Sequence, residues 1–416
     1  GVNSIKWDSP INLYGREKIK VPMGIADSDF RQHPAVAKAM LKRAAYDNYG
    51  YETMPDSFWK AIIDWNKQRY NLDLKKEWIE TSPALDPGLI AALRGLNPHK
   101  GKVIMQTPVY DGFLHIIAKA GMTNVTNPMK KIKGRWHIDL ENLEKLLDYE
   151  TKCLILCNPN NPTGECWTAN ELRALGDVCM RNGVTVLADE IHCDFINKGN
   201  KFTPYASIGE KYANSSITFR SPSKTFGQAS MKVAYFYTQN TDLMNAVMVG
   251  GGLYTNCNTF GLIGCEVAYN EGAEWVDDVR DYVDGNFDYL VDYVNKQGNM
   301  PGIKYSKPEG TYFAWLDCNG LKDKIASPEK IAQLDPKKLK EIYDKWRDIW
   351  SYTDTDNDVK PEMVMGEWLV QNSGVVLNCG HFYGTGSDGF MRMNIAVPRS
   401  QLKTALDDMN KALNLL

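Results

Sequence analysis

Lys224 stands in Ser221-Pro222-Ser223-Lys224-Thr225-Phe226, between two runs of strand-forming residues, 216–219 and 233–237. Read alone, it is a surface lysine on a loop. Between buried strands, however, an ammonium group is costly unless its pKa falls, and a desolvated lysine is the neutral amine that forms Schiff bases. Five further stretches bear on that choice. Asp189 ends the apolar run Val184-Thr185-Val186-Leu187-Ala188, where a carboxylate needs either a protonated pyridine nitrogen or an arginine. Asn161, on the proline-flanked loop 158–164, either donates to a phenolate oxygen or forms a turn. Tyr110 either stacks on a flat ring or packs in the core. Ala84, Leu85 and Asp86 precede a helix, where free amides make a phosphate seat, and Ser221 and Ser223 add hydroxyls nearby. Arg392, flanked by Met391 and Met393, either pairs with a protein acid or receives a substrate carboxylate. Together these parts describe a planar, phosphorylated pyridine aldehyde linked to Lys224, that is, pyridoxal 5′-phosphate (PLP).

Such residues need a scaffold that brings strand ends together. From Trp78 onward, short β-branched runs at 79–81, 102–106, 152–157 and 184–188 alternate with helical patterns at 88–96 and 169–181. That alternation predicts an α/β fold, a mainly parallel sheet with helices on both faces and ligands at the carboxyl ends of its strands. Upstream, helices are expected over 33–46, with Pro34 in the first turn, and over 56–70, with Phe58, Ile62, Trp65 and Tyr70 on one face. After about residue 285 the order becomes strands (311–316, 389–397) and then a helix (401–415), which predicts a smaller α+β domain. The expected division is 1–45 as an N-terminal segment and part of the small domain, 46–285 as the large domain, and 286–416 as the C-terminal small domain. The small domain carries a charged insertion at about 318–361. There Asp335-Pro336 starts a helix whose stripe Leu339, Ile342, Tyr343, Trp346, Ile349 and Trp350 reads as a packing face. The run 354–358 opens like a calcium loop, but Val359 and Met365 stand where glycine and glutamate are required, so it reads as a solvated acidic loop.

The bulk properties exclude other classes. The chain has 416 residues, 43% hydrophobic and 24% charged, with net charge −3, which gives no electrostatic case for nucleic acid or an anionic membrane. No stretch reaches the ~18 apolar residues of a membrane span, and residues 1–20 lack the apolar core of a signal peptide. Nine cysteines without a Cys-x-x-Cys spacing imply reduced thiols in a cytoplasmic protein. Six scattered histidines predict no metal site.

The motifs bear a family resemblance. Asn3-Ser4-Ile5-Lys6-Trp7-Asp8, Ile25-Ala26-Asp27-Ser28-Asp29-Phe30, Tyr49-Gly50-Tyr51 and Thr107-Pro108-Val109-Tyr110 open it. The loop 158–164, Asp189-Glu190-Ile191-His192, Ser223-Lys224-Thr225-Phe226, Arg392-Met393-Asn394 and Pro398-Arg399-Ser400 complete it. The chain resembles fold-type I PLP enzymes of the aspartate aminotransferase superfamily. More narrowly, it resembles the cystathionine β-lyase-like C–S lyases of aminotransferase class I/II, the MalY/PatB group. The resemblance implies that Lys224 carries PLP and shuttles the proton, and that Asp189 pairs with the pyridine nitrogen. It further implies that Asn161 contacts the ring oxygen, with His192 as a partial second contact, and that Tyr110 stacks on the ring. Ala84, Leu85, Ser221 and Ser223 would hold the phosphate. Tyr51 would reach it from the neighbouring subunit of a homodimer. Arg392 would bind the substrate's α-carboxylate, with Asp27, Tyr110 and Asn161 also at the substrate.

The sequence also departs from the family. Lys232 replaces a phosphate-binding arginine, Gly24 and Ser28 replace tryptophan and methionine, Asp111 is unusual, and the insertion is long. The implied function is PLP-dependent β-elimination from an S-substituted, cystathionine-like cysteine to thiol, pyruvate and ammonia. An aminotransferase on the same residues is the alternative. A PLP-binding regulatory protein that contacts a partner through the insertion is a third reading.

Overall fold

The structure is a computed structural model describing residues 3–97, 99, 101–253, 257–296, 298–350 and 358–416. Contacts divide the chain into two compact units: Gly1–Phe30 with Tyr282–Pro308 and Tyr312–Leu416, and Arg31–Asp281 with Glu309–Thr311.

The larger unit is built on a seven-stranded sheet. Its strands are β1 (Ile79–Ser82), β2 (Lys102–Thr107), β3 (Thr123–Pro128), β4 (Thr151–Cys157), β5 (Thr185–Asp189), β6 (Ser216–Arg220) and β7 (Ala234–Tyr237), in the order β1-β7-β6-β5-β4-β2-β3. β2 to β6 pair in parallel, and β7 runs antiparallel to β1 and β6. The central strands are nearly continuous apolar runs because both faces are covered. On one face Cys153, Ile155 and Cys157 of β4 share a core with Leu89, Leu93, Phe113 and Ile117, from the helices Leu85–Leu96 and Gly112–Ala120. Near the sheet's other end Tyr235 and Tyr237 of β7 join Phe58, Ile62 and Trp65 of the helix Asp56–Tyr70. The sheet is thus the mainly parallel, helix-covered arrangement expected from the alternating pattern, as the family resemblance also implied.

Several local expectations need correcting. The helix expected from 88 begins at Leu85, because proline is accepted in a first turn and Pro87 does not delay it. The helix expected over 33–46 is Pro34–Ala44. The lysine segment is not a plain loop: Pro222–Thr225 is one helical turn, with Ser221 as its N-cap. The edge strand β3 and the hairpin Lys130–Ile132/Arg135–His137 were not expected, since their residues are polar and lack a period-2 pattern.

In the smaller unit, Phe313–Asp317 and Asn378–Cys379 flank Phe390–Asn394 in an antiparallel sheet, while Val21–Pro22 pairs in parallel with Val375–Val376. The insertion helix Pro336–Trp350 buries Ile342, Tyr343, Trp346 and Ile349, which makes that stripe a packing face. The acidic run at 354–357 and the side chain of Trp350 lie outside the described residues. Among the described residues, no helix is long and apolar enough to cross a membrane. Also among them, no group of three or more His, Cys, Asp or Glu side chains is arranged to hold a metal ion.

Candidate active site

Strand register gathers the candidates of the larger unit. Cys157, the last residue of β4, lies beside Asp189, the last of β5, and Asp189 lies beside Phe219 of β6. The chain therefore leaves three adjacent strands towards Asn158-Pro159-Asn160-Asn161, Glu190-Ile191-His192 and Ser221-Pro222-Ser223-Lys224. This is the carboxyl edge of the sheet, where such folds bind ligands.

The loops are tied together. Asn160 Nδ2 donates to Pro108 O at 3.1 Å and to Thr163 Oγ1 at 2.7 Å, which fastens the Asn161 loop to the segment leading to Tyr110. The backbone N–H of Asn161 points at Cys157 Sγ at 3.4 Å. Tyr110 folds its ring over Gly112, where an added Cβ would lie 2.4 Å from the ring, so only glycine admits this pose. Phe113 meets the Tyr110 ring edge-on, with centroids 5.4 Å apart. The helix Leu85–Leu96 presses its first turn against β6: a Cβ on Gly88 would sit 3.1 Å from Ser82 Oγ and 3.3 Å from Phe219. Its first-turn amides lack intrahelical acceptors, and Pro87 contributes none, which leaves those of Ala84, Leu85 and Asp86.

The charges form one field. Asp189 is buried, accepts Ile191 N at 3.0 Å, and has its carboxyl pushed up to about 7. Desolvation is the main cause; Asp86 adds to it and Lys224 opposes it. Asp86 opens to solvent on one side, yet the protein crowded around it still raises its carboxyl, while Lys119, Lys224 and Lys232 pull it down. Asp86 is therefore within electrostatic reach of Asp189, Lys224 and Lys232, and Asp189 within reach of Lys224. His192 is buried in the turn after β5.

Two hydroxyls differ. Ser221 Oγ caps the lysine turn by accepting Ser223 N at 3.0 Å, and its proton is committed to Val233 O at 2.7 Å. Ser223 is half-buried beside it. Lys232 is exposed and adopts a left-handed backbone, φ 55°. Tyr51 is fully exposed on this chain.

In the smaller unit, Arg392 is buried in its strand. Its Nη2 donates to Gly24 O at 2.7 Å, and its Cζ lies 4.1 Å from the ring centre of Phe313 and 5.3 Å from that of Tyr383. Asp27 O accepts Lys6 Nζ at 2.9 Å and Asn394 Nδ2 at 2.7 Å. Gly24, noted only as a departure, thus shapes the seat of Arg392.

Sequence reasoning missed the supports of the lysine turn. Arg220 is buried at the end of β6 with Glu190, at 3.0 and 2.6 Å, and with Asn66 Oδ1 at 2.6 Å. Asp194 receives Thr225, and Gln32 Nε2 donates to Phe226 O at 2.7 Å. The available signal was an arginine closing the apolar run Ile217-Thr218-Phe219.

Comparison with known proteins places the chain. The model of the family "Aminotransferase class I and II" matches residues 18–409, and the chain belongs to that family. It is 31% identical to cystathionine β-lyase PatB of Bacillus subtilis, over 100% of this chain and 97% of that protein. It is 26% identical to protein MalY of Escherichia coli, over 98% and 95% respectively. Among solved structures, cystalysin from Treponema denticola, which contains pyridoxal 5′-phosphate, superposes with TM-score 0.85 at 28% identity, covering 99% of this chain and 96% of that one.

The cofactor of this fold and family is PLP. The residues present fit it. A buried carboxyl held up by desolvation is suited to a cationic ring nitrogen, free helix amides to a phosphate, and a lysine within charge range of both to the aldehyde.

Proposed function

We propose that the protein is a PLP-dependent carbon–sulfur β-lyase that cleaves an S-substituted, cystathionine-like cysteine to a thiol, pyruvate and ammonia. The observation that carries this reading is the placing of Asp189 and Lys224 at adjacent strand ends within each other's field, in a chain similar end to end to PatB. The bound cofactor supplies an electron sink for the negative charge that develops at the substrate's Cα.

The chain's own residues do the rest. Lys224 holds the cofactor and then takes the proton from the substrate's Cα, a task suited to an amine freed beside the substrate. Asp189 keeps the ring nitrogen protonated, which its own burial favours once a cation stands beside it. Asn161 donates to the ring oxygen, His192 supports it, and Tyr110 stacks on the ring. The amides of Ala84 and Leu85, with Ser223 and Lys232, hold the phosphate; Ser221 holds the turn that presents them. Arg392 receives the substrate's α-carboxylate, and Asp27 contributes through its backbone. With the charge relayed, the Cβ–S bond breaks and the sulfur leaves as thiolate. Water then releases the remaining three carbons as pyruvate and the nitrogen as ammonia.

The exposed ring of Tyr51 supports a homodimer in which it reaches the phosphate of a second copy. Nine buried, unlinked cysteines support a cytoplasmic setting. The family to which the chain belongs favours a second reading, transamination on the same residues. The deciding experiment gives PLP-loaded protein cystathionine and other S-substituted cysteines without keto acid. Continuing, equal release of thiol, pyruvate and ammonia is expected. A single turnover that resumes only with added keto acid assigns transamination instead.

A further inference from the structure

The turn that carries Lys224 is fastened at both ends to the short segment 190–194 that follows β5. At its start, Glu190 holds Arg220 through two N–H groups at 3.0 and 2.6 Å. At its end, Thr225 Oγ1 donates to Asp194 Oδ2 at 2.7 Å, with both residues buried. The other oxygen, Asp194 Oδ1, receives Arg69 Nε at 3.1 Å and the Tyr70 hydroxyl. Arg69 also reaches Asp277 at 2.9 Å. Among the described residues, Arg69, Tyr70, Thr225 and the thiol of Cys193 touch Asp194, and Tyr269 lies within its field. Burial pushes the Tyr70 hydroxyl and the Cys193 thiol up, so both keep their protons.

We propose that Asp194 is a positioning residue that, through Thr225, fixes the backbone root of Lys224 relative to Asp189. The proposal rests on Lys224 being the lysine that carries the cofactor. The same Nζ must first hold the cofactor and then reach the substrate's Cα, and its flexible four-carbon stem makes both reaches depend on where Cα is anchored. Asp189 and Asp194 belong to one continuous segment, so a clamp at 194 sets the lysine and the ring-nitrogen carboxylate in a common frame. A merely structural hydrogen bond would change unfolding and leave the chemistry alone.

The test compares Thr225→Val, Thr225→Ser and Tyr70→Phe with the wild type, all PLP-loaded. Borohydride reduction and peptide mass locate the cofactor, a pH titration follows its visible absorbance, and steady-state kinetics separate kcat from KM. In Thr225→Val the cofactor should remain on Lys224, the titration midpoint should move, and kcat should fall about ten-fold or more with KM little changed. Thr225→Ser, which keeps the hydroxyl, should restore both. A Thr225→Val protein with wild-type kcat and midpoint but lowered thermal stability overturns the proposal, and so does failure of serine to rescue. If valine prevents folding, Tyr70→Phe removes a donor to the same carboxylate from outside the turn, and unchanged kcat and midpoint there overturn it equally. A wild-type adduct on any residue other than Lys224 overturns the lysine assignment itself, a result distinct from failure of the clamp.

Discussion

The two sides of the lysine turn follow opposite electrostatic plans. Behind it, each charge meets an internal partner: Arg220 with Glu190 at 2.6 Å, Arg69 with Asp194 at 3.1 Å and with Asp277 at 2.9 Å. In front, Asp189 accepts one backbone amide and feels Lys224, yet its carboxyl still rises to about 7. Burial also raises the carboxyl of Glu190, the next residue, so burial alone does not separate the two; what does is the Arg220 guanidinium that Glu190 holds at 2.6 Å. The difference is that the back is complete within the chain, whereas the front, on the proposed function, is completed by the cofactor. A buried acid left without a matching cation is a poor element of stability and a good element of a binding site.

Removing the central residue of the front should have the largest effect. Lys224→Ala is expected to lower turnover about a thousand-fold or more while PLP still binds non-covalently. Turnover assays and the loss of the borohydride-trapped adduct check both halves. Substantial turnover in this variant would break the contrast at its root, because the front would then not be where the chemistry is.

The back should respond in stability. Glu190→Gln leaves Arg220 buried without its carboxylate, and breaking such a pair costs about 3–5 kcal/mol. Urea unfolding of the cofactor-free protein measures that cost directly. A loss near zero would mean that Asn66 and the rings of Tyr70 and Phe202 already suffice for the guanidinium.

Asp189 gives the converse test. Its carboxyl titrates near 7 in the fold and near ~3.9 when unfolded, so between those values the folded state binds more protons. Its destabilising effect is therefore absent below about pH 4, grows as pH rises from about 4 to 7 while the unfolded carboxyl ionises and the folded one does not, and is constant above. In cofactor-free protein, Asp189→Asn should match the wild type near pH 4 and exceed it in stability above pH 7 by up to about 4 kcal/mol. Unfolding curves at several pH values give the difference. A variant less stable at every pH would show that the front, like the back, is satisfied from within.

Legibility in the sequence follows the same division. β4, β5 and β6 were visible because central strands are dense in β-branched and apolar residues, and their ends placed Asn161, Asp189 and Lys224 on one edge of the sheet. The helices Asp56–Tyr70 and Ala169–Arg181 were bounded correctly. The second has a full capping box, Thr168 with Glu171, a local signal that needs no tertiary context. The back of the lysine turn was not visible. Glu190, Asp194, Arg220 and Arg69 are scattered through the chain, and only the folded packing of helix, turn and strand reveals that their charges cancel. The polar edge strand β3 escaped for a related reason: its pairing with β2, not its composition, makes it a strand.

The insertion of the smaller unit supplies a third kind of charge, exposed and paired along one helix. On Pro336–Trp350, Glu341 Oε1 meets Lys345 Nζ at 2.6 Å one turn later, and Glu341 Oε2 meets Lys338 at 3.3 Å. Such surface pairs spend most of their attraction against water and side-chain entropy, and contribute about 0.3–0.5 kcal/mol. Glu341→Ala should therefore shift stability by no more than about 0.5 kcal/mol and leave kcat and KM unchanged, as differential unfolding and the lyase assay would read. The helix is held instead by its buried face, where the Trp346 ring lies so close to Gly366 that a Cβ there would sit 2.4 Å away. A clear loss of turnover in Glu341→Ala would join this helix to the chemistry and end the view that charge on this protein matters only where it is buried.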